Sequence, residues 1–189
     1  MKKFLLSVLV VISLNATAQD FSVGDNVVSA GISFGGAFGG YTYSSQTPGI
    51  SLQYERGIVQ IEEAGVIGIG GYVGIKGLKH EYSYGGYYAK QKWNYTIIGA
   101  RGAFHFTSLG VEKLDVYGGV MLSYNILTYK YEDNDPSNYS YTGSGSYGSG
   151  VGFTIYAGGR YYLAPNIAAF MELGYGKYIV NLGVAFKFK

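Results

Sequence analysis

The segment YTIIGARGAFHF, which runs from Tyr95 to Phe106, alternates between two kinds of side chain. Its even positions from Ile98 onward are apolar or small, while its odd positions include Arg101 and His105. A period of two residues is typical of a β-strand whose two faces meet different surroundings. The segment therefore predicts a strand with one apolar face and one face that carries charge.

The first residues carry the features of a secretory signal peptide. Residues 2–3 are lysines, residues 4–14 form a mainly apolar run of 11 residues, and residues 16–18 read Ala-Thr-Ala. This is the charged, apolar and small-residue order of a cleaved signal, and the run is too short to cross a bilayer as a helix. We expect residues 1–18 to be the signal peptide and residues 19–189 to form one domain.

The composition argues against several classes of protein. The chain has no cysteine, so it cannot hold a disulfide or a thiolate zinc site. Once the two signal-peptide lysines are removed, acidic and basic residues are equal in number, which gives no electrostatic reason to expect nucleic acid as a partner. Charged residues make up only 14% of the chain, against roughly 25% in soluble domains. With 21 tyrosines and 31 glycines, this composition is typical of a membrane β-barrel.

Seven further segments alternate in the same way as the first. The eight are, in order, NVVSAGISFGG from residue 26, GISLQYER from 49, VIGIGGYVGIKG from 66, YTIIGARGAFHF from 95, DVYGGVMLSYNI from 115, VGFTIYAGGRYYL from 151, IAAFMELGYG from 167 and YIVNLGVAFKFK from 178. No helical pattern lies between them, which favours an up-and-down antiparallel barrel. We predict an all-β fold, a transmembrane up-and-down antiparallel β-barrel of eight strands.

The two faces of these segments differ in a way that indicates which one meets lipid. One face is apolar, whereas the other is mostly Gly, Ser, Ala and Tyr with isolated charges. A soluble barrel of the lipocalin kind would instead show water an exterior rich in Lys and Glu. The small polar face suits the narrow interior of an eight-stranded barrel, which side chains can fill. We therefore assign the apolar face to lipid and the other face to the lumen.

Charged side chains on the lumenal face define the candidate site. They are Glu55, Lys76, Arg101, Asp115, Arg160, Glu172 and Lys187, with His105 beside them. Charges removed from water must pair, so we predict a structural charge cluster that plugs the lumen. Arg160 and Glu172 flank the turn at Pro165, and Arg101 lies at a similar depth, which predicts an Arg101–Glu172–Arg160 cluster.

The segments quoted from residues 95 and 115, the stretch GRYYLAPNIAAFMELGYG and the closing NLGVAFKF together resemble a known family. It is the family of small eight-stranded outer-membrane barrels typified by the membrane domain of OmpA and by OmpX, often grouped as porin-family proteins, and the resemblance covers nearly all of residues 19–189. It implies a monomer in the cell outer membrane, in contact with outer-membrane lipids and lipopolysaccharide. Such barrels commonly end on an aromatic residue read by the barrel-insertion machinery; here Lys189 follows Phe188, and we expect Phe188 to serve.

The predicted topology places both termini on the periplasmic side. Short periplasmic turns are expected near residues 57–65, 107–114 and 164–167. The outer loops are expected at residues 37–48, 79–92 and 128–150, with a tight fourth near Lys177. The second and third of these loops are rich in tyrosine.

Few sequence motifs indicate a catalytic or ligand-binding site. GSGSYG, residues 143–148, matches a dinucleotide-binding pattern but opens no helix, so we interpret it as loop. DNDPSNYS, from Asp133, offers oxygen ligands but lacks the glycine and glutamate of a calcium loop, and whether the 128–150 loop binds calcium or a partner stays open. We expect no catalytic residue, no metal site and no cofactor.

We predict a non-enzymatic outer-membrane barrel with a structural or adhesive role, acting on an unidentified extracellular ligand through its tyrosine-rich outer loops. One alternative is a narrow porin-like channel for small solutes or ions. A lipid A-modifying enzyme is the other, but it would need His, Ser and an acid at the lipid boundary, whereas His105 and Asp115 face inward.

Overall fold

The computed structural model describes residues 21–38, 45–107, 111, 113–134, 142–143 and 148–189. The predicted signal peptide, the middle of the first outer loop and most of the glycine-rich and aspartate-rich motifs of the third lie outside these residues. Ten strands form: β1 Asn26–Phe34, β2 Ser45–Gln46, β3 Gly49–Ile61, β4 Gly65–Tyr84, β5 Tyr87–Phe106, β6 Leu114–Asp133, β7 Thr142–Gly143, β8 Gly150–Ala164, β9 Ile167–Tyr175 and β10 Val180–Phe188. Across the described ranges, no helix is long and apolar enough to cross a membrane.

Eight long strands close into one antiparallel barrel. Their order is β1, β3, β4, β5, β6, β8, β9 and β10, and β10 pairs with β1 to complete the ring. Each contains most of one of the eight alternating segments, so the predicted all-β, eight-stranded up-and-down barrel is confirmed. The two-residue strands β2 and β7 lie beside the projecting ends of β4 and β6.

The two faces of the strands follow the predicted parity. Leu122 on β6 is 61% exposed on the outside, whereas its neighbour Met121 is 1% exposed inside. Ile50 and Val184 are exposed outward in the same way. A continuous outward apolar surface therefore surrounds the barrel between its two ends.

At one end of the barrel the connections are short. The β3–β4 turn uses residues 62–64 and the β8–β9 turn uses residues 165–166, within the predicted ranges. We call this the short-turn end; the chain also enters and leaves the barrel here, since Asn26 pairs with Phe188.

At the other end the structure corrects the prediction of a loop at residues 79–92. β4 runs to Tyr84 and β5 starts at Tyr87, so this stretch is a paired hairpin. Gly85 and Gly86 make its two-residue turn with φ of 58° and 88°. Two positive φ values are what a tight hairpin turn requires, and glycine adopts them without steric cost. β6 continues beside it to Asp133, and we call this the long-hairpin end.

Candidate functional site

Four ionisable side chains meet in the lumen near the short-turn end. Arg160 contacts Glu55 directly and donates from Nη1 to Asp115 Oδ2 at 3.1 Å. His105 lies between the same two acids, with Nδ1 2.7 Å from Asp115 Oδ1 and Nε2 3.0 Å from Glu55 Oε1. We call Glu55, His105, Asp115 and Arg160 the lower quartet. Carboxylates only accept hydrogen bonds, so His105 can make both as an imidazolium that donates from each nitrogen.

Glu172 organises a second group at mid-depth. Its Oε1 accepts from Arg101 Nη2 at 2.6 Å and from the Tyr117 hydroxyl at 3.0 Å. Three more donors reach Oε2; they are the Tyr178 hydroxyl at 2.9 Å, Gln53 Nε2 at 3.2 Å and Asn181 Nδ2 at 3.3 Å. The Arg101 guanidinium also lies 4.3 Å from the centre of the Tyr156 ring. A buried carboxylate with five donors is fully compensated for its loss of water.

Arg160 does not pair with Glu172, as the predicted cluster required. The register places it opposite Phe170, one of the two expected positions, and Glu172 opposite Gly158. However, Arg160 also lies directly opposite Asp115 on its other neighbour, β6. Directly opposed partners on one face are closer than diagonal ones, so Arg160 pairs with Asp115. It also pairs with Glu55 of β3 across the lumen, while Glu172 pairs with Arg101. The expectation that Glu172 joins both arginines was wrong for Arg160.

The two predicted lysines lie at the two mouths of the barrel, away from both groups. Lys76 is buried towards the long-hairpin end, where it donates to the backbone oxygen of Gly35 and lies 5.4 Å from the Phe38 ring. Lys187 lies at the short-turn end, with Nζ 3.8 Å from Asp25 Oδ2. These lysines therefore line the mouths and do not join the central cluster.

Phe21 is a lumenal residue that the sequence did not indicate. It precedes β1, and its ring stacks on His105 with 4.0 Å between ring centres. It is 1% exposed and lies 5.7 Å from the Arg160 guanidinium. Phe21 thus covers the lower quartet at the short-turn end. A single aromatic before the first alternating segment carries no periodic signal, so nothing in the sequence marks its position.

Large buried side chains fill the space between and above the charges. They are Tyr72, Trp93, Tyr95, Tyr117, Met121, Leu127, Tyr156 and Tyr178. Within the described part of the chain, no group of three or more His, Cys, Asp or Glu side chains is arranged to hold a metal ion. The lumen is therefore a packed core in which aromatic and aliphatic side chains surround the buried charges.

Charged side chains also project outward at the long-hairpin end. Lys79, Lys92 and Lys130 occupy paired positions on β4, β5 and β6. Two residues further from the barrel, Lys90 lies between Glu81 and Glu132. We call these the lysine row and the mixed row. The hydrogen bond from Lys90 holds the pKa of Glu81 below its usual value, and those from Lys130 and Lys92 do the same for Glu132.

Comparison with known proteins identifies the fold. No protein-family model matches the sequence, and no curated protein does. Among solved structures, one match is the attachment invasion locus protein Ail of Yersinia pestis, in complex with the heparin analogue sucrose octasulfate. The match has 16% sequence identity and a TM-score of 0.52, and it covers 88% of this chain and 99% of Ail. Neisserial surface protein A matches at 17% identity over 87% of this chain and 94% of its own, with a TM-score of 0.40. The chain has the fold of a small eight-stranded outer-membrane β-barrel, as in Ail.

Proposed function

We propose that the protein is an integral outer-membrane barrel with a sealed lumen, and that it acts through the surface it presents outside the cell. The observation that carries this is the continuous apolar exterior. On β8 it runs from Val151 to Leu163, which is about 40 Å along the strand and, at the tilt of barrel strands, roughly 30 Å along the barrel axis. This is close to the apolar band of known outer-membrane barrels. The short-turn end then faces the periplasm and the long-hairpin end faces outward.

The filled lumen supports a closed barrel over a narrow channel. Glu172 and the lower quartet occupy successive levels of the interior, and Phe21 covers the lower level. A continuous water path would require these buried ion pairs to separate, which leaves unpaired charges in a poorly solvated interior. We expect the purified protein to give no conductance steps in planar bilayers. Steps that persist in protein refolded from denaturant would instead favour the channel.

The long-hairpin end supports an adhesive role. β4, β5 and β6 project beyond the apolar exterior as a paired sheet that carries Tyr82, Tyr88 and the charged rows outward or at its tip. Tyrosine with charged side chains is an adaptable contact surface. Ail, which shares the fold, was solved with a heparin analogue.

The adhesive role can be tested on cells that display the barrel. Binding of these cells to host-cell surfaces and to immobilised glycans should fall when residues 81–90 are replaced by a shorter hairpin. A matched variant shortened in the 62–64 turn, on the periplasmic side, should bind like the wild type. Equal binding by the hairpin variant would refute adhesion through this sheet.

The lumen offers little support for an enzyme. His105 is fully buried beneath Phe21 and engaged by two acids, so a lipid at the barrel surface cannot reach it. Mass spectra of lipid A from cells with and without the protein should be identical. A new or missing acyl chain that depends on the protein would make it a lipid-modifying enzyme.

A further inference from the structure

We propose that the lysine row is a binding site for the phosphate groups of an anionic glycolipid headgroup in the outer leaflet. This inference rests on the proposed function, because only an inserted barrel brings the row to the level of lipid headgroups. It goes further by naming the residues and the chemistry of the ligand.

The register aligns the three lysines. Lys79 pairs with Lys92 and Lys92 with Lys130, so all three stand side by side on one outward face. Neighbouring strands lie about 4.8 Å apart, so the three Cα atoms span about 10 Å. Directly opposed like charges on a sheet are unfavourable unless an anion offsets them. The arrangement therefore suits a ligand with one or two phosphates.

The neighbouring carboxylates do not neutralise this face. Lys92 and Lys130 share Glu132, with distances of 3.2 and 2.7 Å, while Lys79 and Lys90 share Glu81, at 3.8 and 2.9 Å. Among the described residues of β4, β5 and β6, the outward face at this end thus carries four lysines against two glutamates. Both glutamates lie in the mixed row, on the side away from the apolar exterior. In the described part of this sheet, the charged residues nearest to the membrane are therefore all lysines.

The row also stands directly above apolar surface. On β4, Ile75 lies four residues from Lys79 in the direction of the barrel, and it is 55% exposed. Lys130 likewise lies four residues from the exposed Ile126 on β6, whereas Lys92 lies six residues from Ile98 on β5. Allowing for strand tilt, the row stands roughly 10–15 Å outside the apolar exterior, and lysine side chains can extend from there towards the headgroups. Basic residues at this level attract anionic lipid headgroups.

A surface cleft of about 460 Å³ opens at the same place. Ile50 and Ile75 contribute apolar lining, while Lys79, Lys90 and Lys92 line its outer part. Thr47 is fixed at its edge, because its backbone N–H and its hydroxyl both donate to the backbone oxygen of Gly77 at 2.9 Å. A cleft that is apolar towards the membrane and cationic away from it matches an amphiphile with an acyl chain and a phosphorylated head.

A sulfated polysaccharide could meet the same charges from outside. The placement favours the lipid, because a ligand that approaches from the hairpin tip would meet Glu81 and Glu132 before the lysine row. A headgroup that approaches from the membrane side would meet the three lysines, which are 35–47% exposed, before either glutamate.

The test compares lipids that differ only in phosphate. Protein in zwitterionic nanodiscs that contain phosphorylated lipid A is compared with protein in nanodiscs that contain dephosphorylated lipid A, and retained lipid is counted by native mass spectrometry. We expect retention of the phosphorylated form, weakened about tenfold or more in the variant with Lys79→Gln, Lys92→Gln and Lys130→Gln. Lys113→Gln, at the short-turn end, is the matched control and should retain lipid like the wild type. The triple Lys→Arg variant should also retain it.

Any of three other results would overturn the assignment of the lysine row to a lipid phosphate. Equal retention of dephosphorylated lipid, or full retention by the triple Gln variant, would show that the row does not read phosphate. Displacement of the lipid by millimolar inorganic phosphate would mean that the site takes free phosphate. Row-dependent binding of heparin without row-dependent lipid retention would make it a polysaccharide site. Insertion into the zwitterionic discs, checked by heat-modifiable migration, tests the proposed function separately.

Discussion

Arg101 Nη2 lies 2.6 Å from Glu172 Oε1 inside the barrel, although 71 residues separate the two in sequence and their strands are not neighbours. Their side chains are 1% and 0% exposed. The contact therefore crosses the lumen from β5 to β9 and depends on closure of the barrel. It ties opposite walls together in a way that no pair on adjacent strands can.

The first prediction concerns this pair. Glu172→Leu removes the only carboxylate that contacts Arg101 among the described residues and leaves a buried, unpaired guanidinium. The free energy of unfolding should fall by roughly 3–5 kcal/mol. Urea unfolding in lipid vesicles, followed by tryptophan fluorescence from Trp93, measures it.

The control for that prediction is the variant that carries both Arg101→Leu and Glu172→Leu. Since it removes both charges, it should regain part of the stability that the single variant loses. An unfolding midpoint for Glu172→Leu equal to that of the wild type would contradict the role of the pair.

The eight strands could be predicted from the sequence because each buries one face and exposes the other, as β6 does with Met121 and Leu122. The partners of Arg160 could not be predicted in this way. Alternation states which face a side chain is on but not the stagger of the closed barrel, which sets the level at which distant strands meet. Glu55, on the distant strand β3, reaches Arg160 through that stagger. Asp115 reaches it through the register of the adjacent strands β6 and β8, which a long connection leaves unspecified in the sequence.

The sequence contains a turn signal for the hairpin at residues 79–92. Gly85-Gly86 between two tyrosine-rich runs is a two-residue hairpin signal. The abundance of charge and tyrosine favoured a loop instead. Polar residues occur on both faces there because the hairpin projects beyond the apolar exterior, so alternation no longer separates two environments.

The second prediction concerns redundancy in the lower quartet. Glu55→Gln should lower the free energy of unfolding by about 1–3 kcal/mol, less than Glu172→Gln, because Asp115 still accepts from Arg160 and His105. Adding Asp115→Asn removes the last acid, so the double variant should lose more than the sum of the two single variants. Unfolding of the three variants in vesicles completes the cycle, and strict additivity would argue against shared pairing.

The third prediction concerns Phe21 as a cover. Phe21→Ala removes the ring that stacks on His105, so water should enter at the short-turn end and the free energy of unfolding should fall by up to ~3–5 kcal/mol. The chain has only two histidines, and the hydrogen on C2 of an imidazolium exchanges with water, so deuterium labelling at C2, followed by mass spectrometry, is a direct measure of solvent access. Labelling of His105 should rise while that of His80, at the opposite end, stays constant. Unchanged labelling of His105 would mean that Phe21 does not seal the lumen.

The fourth prediction tests the lipid-facing assignment. Leu122→Arg places a charge on the outward face at mid-strand and should cost roughly 2–4 kcal/mol in lipid. Thr128→Arg, on the same face of β6 but closer to the long-hairpin end, is the matched control and should cost less, since its charge can reach the interface. Refolding yields and unfolding midpoints in vesicles compare the two. A Leu122→Arg variant as stable as the wild type would reverse the assignment of faces.

The last prediction separates the barrel from its third outer connection. Replacement of residues 132–147 by a short Gly-Ser linker removes the Lys92–Glu132 ion pair and the hydrogen bonds of Asn134 with Gly86 and Tyr88. All of these lie at the long-hairpin end, whereas the ladder between β6 and β8 runs from Leu114 to Asn125 and is untouched. A linker is needed because β6 extends well beyond the start of β8. The variant should therefore keep the heat-modifiable migration of the folded barrel, with a loss of stability confined to the projecting sheet. Migration only at the unfolded position would instead make this connection part of the folding core.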